Sequence, residues 1–273
     1  MFSGRTGELL FSARGDNPAD LMGRCAAGVG DVDGDSVPDF AYAARYTAQA
    51  RRLRPLRARR RRDSPAGVAV AAAHSRRGDI NADARADLAI GLHHWTQRDL
   101  GLRVISGRDA SVIHNIVRPD PQDSDFAYQV AAGVDATGDR VPDLLVSGDL
   151  FRHRAYLFSG ATGEVVTTFE YGDPLRGIQL YGINLALADL TGDGIVEAVI
   201  GTARVILVYD PLSPQIINRR YVAYFRGSMS GNEVATGDVN GDAIIGSRAR
   251  TYGDAPGGGA VAMESGGRLL LFP

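Results

Sequence analysis

Five short segments of this chain carry oxygen-bearing side chains on alternate residues. They read DVDGDSVPD from Asp31, DINADARAD from Asp79, DATGDRVPD from Asp135, DLTGDGIVE from Asp189 and DVNGDAIIG from Asp238. Positions 1, 3 and 5 hold Asp31, Asp33 and Asp35; Asp79, Asn81 and Asp83; Asp135, Thr137 and Asp139; Asp189, Thr191 and Asp193; and Asp238, Asn240 and Asp242. Position 9 adds Asp39, Asp87, Asp143 and Glu197, whereas the fifth copy has Gly246 there. Oxygen ligands on alternate residues of a tight loop are what a hard cation such as Ca²⁺ requires. Without a metal, the same composition would make Asx-rich turns.

The copies start 48, 56, 54 and 49 residues apart, so one unit of about fifty residues carries one loop. A second phrase recurs between them: FSGRTGELLF from Phe2, VISGRDASVI from Val104, LFSGATGEVV from Leu157 and AMESGGRLLLF from Ala262. An apolar run, a Gly turn and another apolar run make a hairpin signature. Apolar segments also bracket each acidic loop, as in VAAGVDATGDRVPDLLVSG around Asp135. Each unit therefore reads as four antiparallel strands, and four-stranded units at this period predict an all-β chain, a β-propeller. No window shows a capped helical period, which excludes helical solenoids. An EF-hand would need Glu at position 12 and flanking helices, yet Tyr42 stands at that place in the first copy. The calcium repeats of β-helices have a nine-residue period and also fail.

The unit resembles the FG-GAP repeat of integrin α-chain propellers and related bacterial proteins. The likeness rests on Asp31–Asp39, Asp79–Asp87, Asp135–Asp143 and Asp189–Glu197 with the SG-x-x-G hairpins, and spans nearly the whole chain except about residues 46–65. Phe126 is followed by Ala127 rather than Gly and no GAP tripeptide occurs, so the likeness is to a divergent bacterial array. The resemblance implies loops between first and second strands and seven blades in a typical propeller. On this chain it implies a single domain over 1–273 with five blades, preceded by a leading half-blade hairpin at residues 2–12. The chain is then expected to be part of a longer polypeptide.

Within each loop, position 7 would add a backbone carbonyl: Val37, Arg85, Val141 and Ile195. Gly34 permits the sharp turn of the first copy, and Pro38 sets the backbone angle before the last ligand. Affinity is expected to follow carboxylate count, from the first loop through the second to the third and fourth, with the fifth weak or empty. The metal's expected role is structural, since no base beside an open coordination site is recognisable.

Net charge is −2, but residues 51–62 hold eight Arg and no acid, leaving 22 Arg against 32 acids elsewhere. Asp outnumbers Glu by 26 to 6, as suits acids recruited for short loops. Lys is absent, which fits a GC-rich coding sequence. The Arg-rich stretch has no interleaved aromatics and occupies the place of the first unit's hairpin. It reads as a damaged hairpin or solvated insertion over 46–65, and no nucleic-acid partner is expected. Cys25 is the single cysteine, so no internal disulfide is possible. No apolar run approaches the roughly 18 residues of a membrane span, and no signal peptide is read at the N-terminus.

Two RGD tripeptides, Arg14–Asp16 and Arg77–Asp79, read as coincidental, since Asp79 already opens the second loop. His93, His94 and Trp95 could form a metal or sugar site on a variable loop, or a plain surface loop. No nucleophile elbow, phosphate loop or zinc spacing is present. The leading expectation is a non-enzymatic, calcium-stabilised binding or adhesion module outside the cell, with a protein or glycan ligand. A carbohydrate-binding or carbohydrate-active propeller using His93–Trp95 stands beside it, as does a truncated or frame-damaged product without independent function.

Overall fold

The computed structural model describes residues 6–10, 12, 78–92, 101–149, 152–171, 184–190, 193–202 and 206–216 with their side-chain surroundings. It adds the backbone of strands at 25–30, 39–43, 52–53, 68–72, 205, 217–221, 233–237, 246–250, 260–264 and 268–271. All regular structure among these residues is β. The first sheet comprises β1 (Cys25–Gly30), β2 (Asp39–Ala43) and β3 (Arg52–Leu53). The second comprises β4 (Val68–Ala72), β5 (Leu88–Leu92), β6 (Leu102–Ile105) and β7 (Val112–Ile116). The third runs through β8 (Val130–Val134), β9 (Asp143–Ser147), β10 (Arg154–Phe158) and β11 (Val165–Glu170). The fourth has β12 (Asn184–Ala188), β13 (Glu197–Gly201), β14 (Val205–Tyr209) and β15 (Ile216–Tyr221). The fifth has β16 (Glu233–Gly237), β17 (Gly246–Arg250), β18 (Ala260–Glu264) and β19 (Arg268–Leu271).

Each sheet is an antiparallel meander in chain order. The first strands β1, β4, β8, β12 and β16 lie against one another in succession. Face-stacked meanders joined first strand to first strand are the blades of a β-propeller. The Arg-rich stretch supplies the third strand of the first blade, with Leu53 opposite Phe40 and Arg52 opposite Ala41. Of the leading hairpin at residues 2–12, only Thr6–Leu10 and Ser12 are described, and Leu9 and Leu10 are exposed.

Inner strands of the middle blades, such as β9 and β13, are buried on both faces, because each blade is covered by its neighbours, while the outer strands β7 and β11 are partly exposed. Strand alternation sends successive side chains to opposite sides. Leu145, Ala155 and Leu157 of the third blade thus pack with Leu187, Ile200 and Leu207 of the fourth. Leu144, Val146, Tyr156 and Phe158 pack the other way, with Leu102 and Val104 of the second. Burying each such Leu or Phe contributes roughly 1.5–3 kcal/mol. Polar latches repeat at the rim: His114 Nε2 donates to the Gly160 carbonyl (2.7 Å), and the Thr167 hydroxyl donates to the Pro211 carbonyl (2.6 Å). Both are the third residue of an outer strand reaching the hairpin of the next blade.

One blade-to-blade approach requires a glycine. Gly91 in β5 faces the Ala127 carbonyl so closely that a Cβ would overlap it. Ala127 is itself fully buried with φ +60°, a left-handed conformation that costs an alanine about 1–2 kcal/mol. Its N–H, donated to the Ser147 carbonyl at 2.8 Å, holds it there. Gly91→Ala is expected to lose about 2 kcal/mol or more in urea unfolding. Ala127→Gly should hold or raise stability, because strain relief offsets the added chain entropy. A neutral Gly91→Ala would show that the two blades are not this close.

Candidate metal centre

The acidic loops sit where first strands turn into second strands, at the same end of each blade as the hairpin joining the third and fourth. The loop between β4 and β5 and the loop between β8 and β9 share one hydrogen-bond plan. Asp79 accepts from the Asp83 N–H (2.9 Å) and the Ala84 N–H (2.7 Å). Asp135 accepts from the N–H groups of Gly138 (2.6 Å), Asp139 (3.2 Å) and Arg140 (2.7 Å). Asp83 accepts from the Arg85 N–H, and Asp139 from the Val141 N–H. Asn81 Oδ1 accepts from the Asp83 N–H. These bonds force left-handed backbone at loop positions 4 and 6: Ala82 (φ +58°) and Ala84 (φ +67°) in one, Gly138 (φ +82°) and Arg140 (φ +71°) in the other. The glycine expected of the turn is replaced by alanine in the second loop, which carries the strain at both places.

The ninth-position carboxylates have a distinct role. Asp87 and Asp143 are buried, at 1% and 0% exposure. One oxygen of each accepts the N–H groups of loop positions 2 and 3: Ile80 (2.7 Å) and Asn81 (3.3 Å) for Asp87, Ala136 (2.8 Å) and Thr137 (2.8 Å) for Asp143. The other oxygen accepts the N–H of the hairpin glycine, Gly107 at 3.1 Å or Gly160 at 2.9 Å. The two recurrent phrases of the sequence are therefore bonded together through this acid. In the second blade the Ser106 hydroxyl also donates to Asp83 (2.9 Å). Burial pushes the Asp87 and Asp143 carboxyls above their ordinary value, against the pull of the N–H donors.

In the fourth blade the position-9 residue is Glu197, and the arrangement differs. Glu197 is buried and accepts the Leu190 N–H at 2.6 Å. Asp189 accepts from the Gly194 N–H (2.9 Å), and Asp193 from the Ile195 N–H (2.9 Å). A carboxylate oxygen from each of Asp189, Asp193 and Glu197 lies within 4.8 Å of the others. Among the described residues this is the one group of three or more acids, histidines or cysteines gathered so closely. Its all-oxygen, all-anionic donor set suits a hard divalent cation. In the third blade the Thr137 hydroxyl, at loop position 3, is buried beside the Asp143 carboxylate and helps to hold its charged form.

Asp31, Asp33, Asp35, Val37, Thr191, Asp238, Asn240 and Asp242 lie outside the described residues, and of Asp39 only the backbone, opening β2, is described. His93, His94 and Trp95 and the two RGD tripeptides also fall outside, except for Asp79. Sequence reading did not find the fourth blade's hairpin, whose turn is Asp210-Pro211-Leu212-Ser213-Pro214 instead of SG-x-x-G. Asp210 takes the place of the hairpin serine and accepts the Leu212 N–H at 2.9 Å. Two prolines and an Asp between apolar runs were the available signal.

Asp143→Ala strands three buried N–H groups and should cost about 3 kcal/mol or more in urea unfolding with chelator present. Asp139→Ala, at an exposed position, should cost under about 1 kcal/mol. The raised Asp143 carboxyl binds its proton sooner in the folded than in the unfolded chain. Its contribution is therefore fully present below the ordinary value of 3.8 and fades as pH rises through the raised one. Asp143→Asn should remove that component from the pH–stability curve; an unchanged curve would assign it elsewhere.

No protein-family model matches the chain, and no curated protein does. Among solved structures it is similar to BBS1N, crystallised in complex with ARL6DN, at 16% identity over 70% of this chain and 53% of that one, with a TM-score of 0.45. It is similar to BamB from Moraxella catarrhalis at 14% identity over 68% and 49%, TM-score 0.41. The V. cholerae biofilm matrix protein Bap1 aligns at 16% identity over 70% and 37%, TM-score 0.36. The chain spans about half the length of the first two. These are likenesses of fold.

Proposed function

We propose that this chain is a calcium-stabilised β-propeller of the FG-GAP type that serves as a binding or adhesion module, with a protein or glycan ligand, outside the cell. The observation that carries the reading is the convergence of Asp189, Asp193 and Glu197 at the loop end of the fourth blade. Three carboxylates so close repel one another, and a divalent cation between them removes that repulsion. Asp189 and Asp193 end one strand's turn and Glu197 begins β13, so a bound ion would cross-link β12 to β13 and stiffen the corner. The role is structural, and the chain is read as non-enzymatic. Loops of this kind, with few protein carboxylates and no enclosing helices, suit the millimolar calcium found outside cells.

Calorimetric titration of chelator-treated protein with Ca²⁺ tests this reading. Heat of binding should be accompanied by a higher melting temperature, since a ligand at a hundred times its Kd adds roughly 2.7 kcal/mol. Glu197→Gln should remove one binding event and most of the shift. Absence of calcium uptake at millimolar concentration would overturn the proposal.

A further inference from the structure

At the blade end opposite the acidic loops, the turn between β9 and β10 meets the link before β8 and the end of β11. Asp123, Asp149 and Tyr171 are buried there, at 0%, 3% and 3% exposure. Asp149 accepts from the N–H and hydroxyl of Ser124 (3.0 and 2.9 Å) and from the Arg152 N–H (2.9 Å). The Tyr156 hydroxyl donates to one Asp123 oxygen at 2.5 Å. Three atoms in this corner are buried without any partner: Asp123 Oδ1, His153 Nδ1 and the Tyr171 hydroxyl. Native interiors leave only a few such groups per hundred residues, so three in one corner mark a locally under-bonded site.

His153 is the hinge of this corner. Its backbone is left-handed (φ +56°), which a non-glycine residue tolerates only where its surroundings impose it. Its ring packs edge-on against Tyr171, with centroids 5.6 Å apart, and its carbonyl accepts the Tyr171 N–H at 2.9 Å. We propose that this corner is a pH-dependent latch, closed on neutral His153 and opened when the imidazole is protonated, releasing Tyr171 at the end of β11.

Among the described residues, the charged and titratable groups facing the corner are Asp149 in the same turn, Asp123 from the preceding link and Tyr171 just after β11. Arg154 is engaged by Asp120 (2.6 Å) and Glu170 (3.5 Å), and the exposed Arg152 side chain lies at the turn's surface. Burial holds His153 below its ordinary 6.5, with Asp149 pulling the other way. Protonation makes both ring nitrogens donors, and Nδ1 has no acceptor within hydrogen-bond distance. The open corner, whose imidazole titrates near the ordinary value, therefore binds the proton more tightly, and acidification through that value favours opening.

Amide hydrogen exchange of the whole chain, corrected for intrinsic rate, tests the latch. Protection of the Tyr171 amide should fall by up to about tenfold between about pH 7.5 and about pH 5.5. His153→Phe keeps the ring contact and removes the titration, so its protection should not change with pH, while β9 amides report that the blade is folded. His153→Asn, neutral and tolerant of left-handed backbone, should also be flat and serves if the Phe variant does not fold. Wild-type protection that does not change with pH overturns the latch. So does an equal loss in the variants, which would place the switch on Asp123 or Asp149.

Discussion

A buried carboxylate at the ninth loop position closes the second and third blades. A four-stranded meander has two free corners at one end, the turn between the first pair of strands and the hairpin of the second. In the second and third blades a single Asp spans both, with one oxygen on two loop N–H groups and the other on the hairpin glycine. Charge-assisted bonds of this kind are roughly twice as strong as neutral ones, and burial protects them from water. The acid must be short to reach both corners, and the residue it meets in the hairpin must approach without a side chain. The spacing of the acidic loop and the SG turn of the hairpin follow from that one contact.

The frame explains how the blades can stack. Once its corners are fixed, each strand offers alternate side chains to the blade on either side, and register shifts are confined to the residues nearest the loop end. Leu144 and Leu145 are consecutive residues, yet they belong to different interblade cores. Stability then accumulates from neighbour to neighbour, as in other repeat architectures. Left-handed alanines at Ala82, Ala84 and Ala127 are tolerated because fixed hydrogen bonds and close packing leave them no other conformation.

The two ends of the blades differ in character. At the loop end the acids accept backbone N–H groups, and in the fourth blade three of them also lie against one another. The opposite end gathers buried polar atoms without partners around Asp149 and a strained histidine. The first arrangement gives rigidity. The second is where the proposed latch would open locally, short of global unfolding.

Much of the architecture was legible in the residues. Alternating acids at a period near fifty residues, with Gly-turn hairpins between them, determined an all-β array of four-stranded units. Turn chemistry and strand alternation are local, so they survive in a one-dimensional reading. The fourth hairpin escaped because Asp210 and two prolines do the work of Ser and Gly there. The third strand at Arg52–Leu53 escaped because charge density masked a backbone pairing that needs no particular side chain. Only tertiary structure decided what the acids do. Asp143 and Glu197 occupy the same loop position and both accept the N–H of loop position 2, but Glu197, a methylene longer, also comes close to Asp189 and Asp193. That difference, like the meeting of Asp123, His153 and Tyr171, depends on ångström-scale placement of segments far apart in the chain, which residue spacing does not encode.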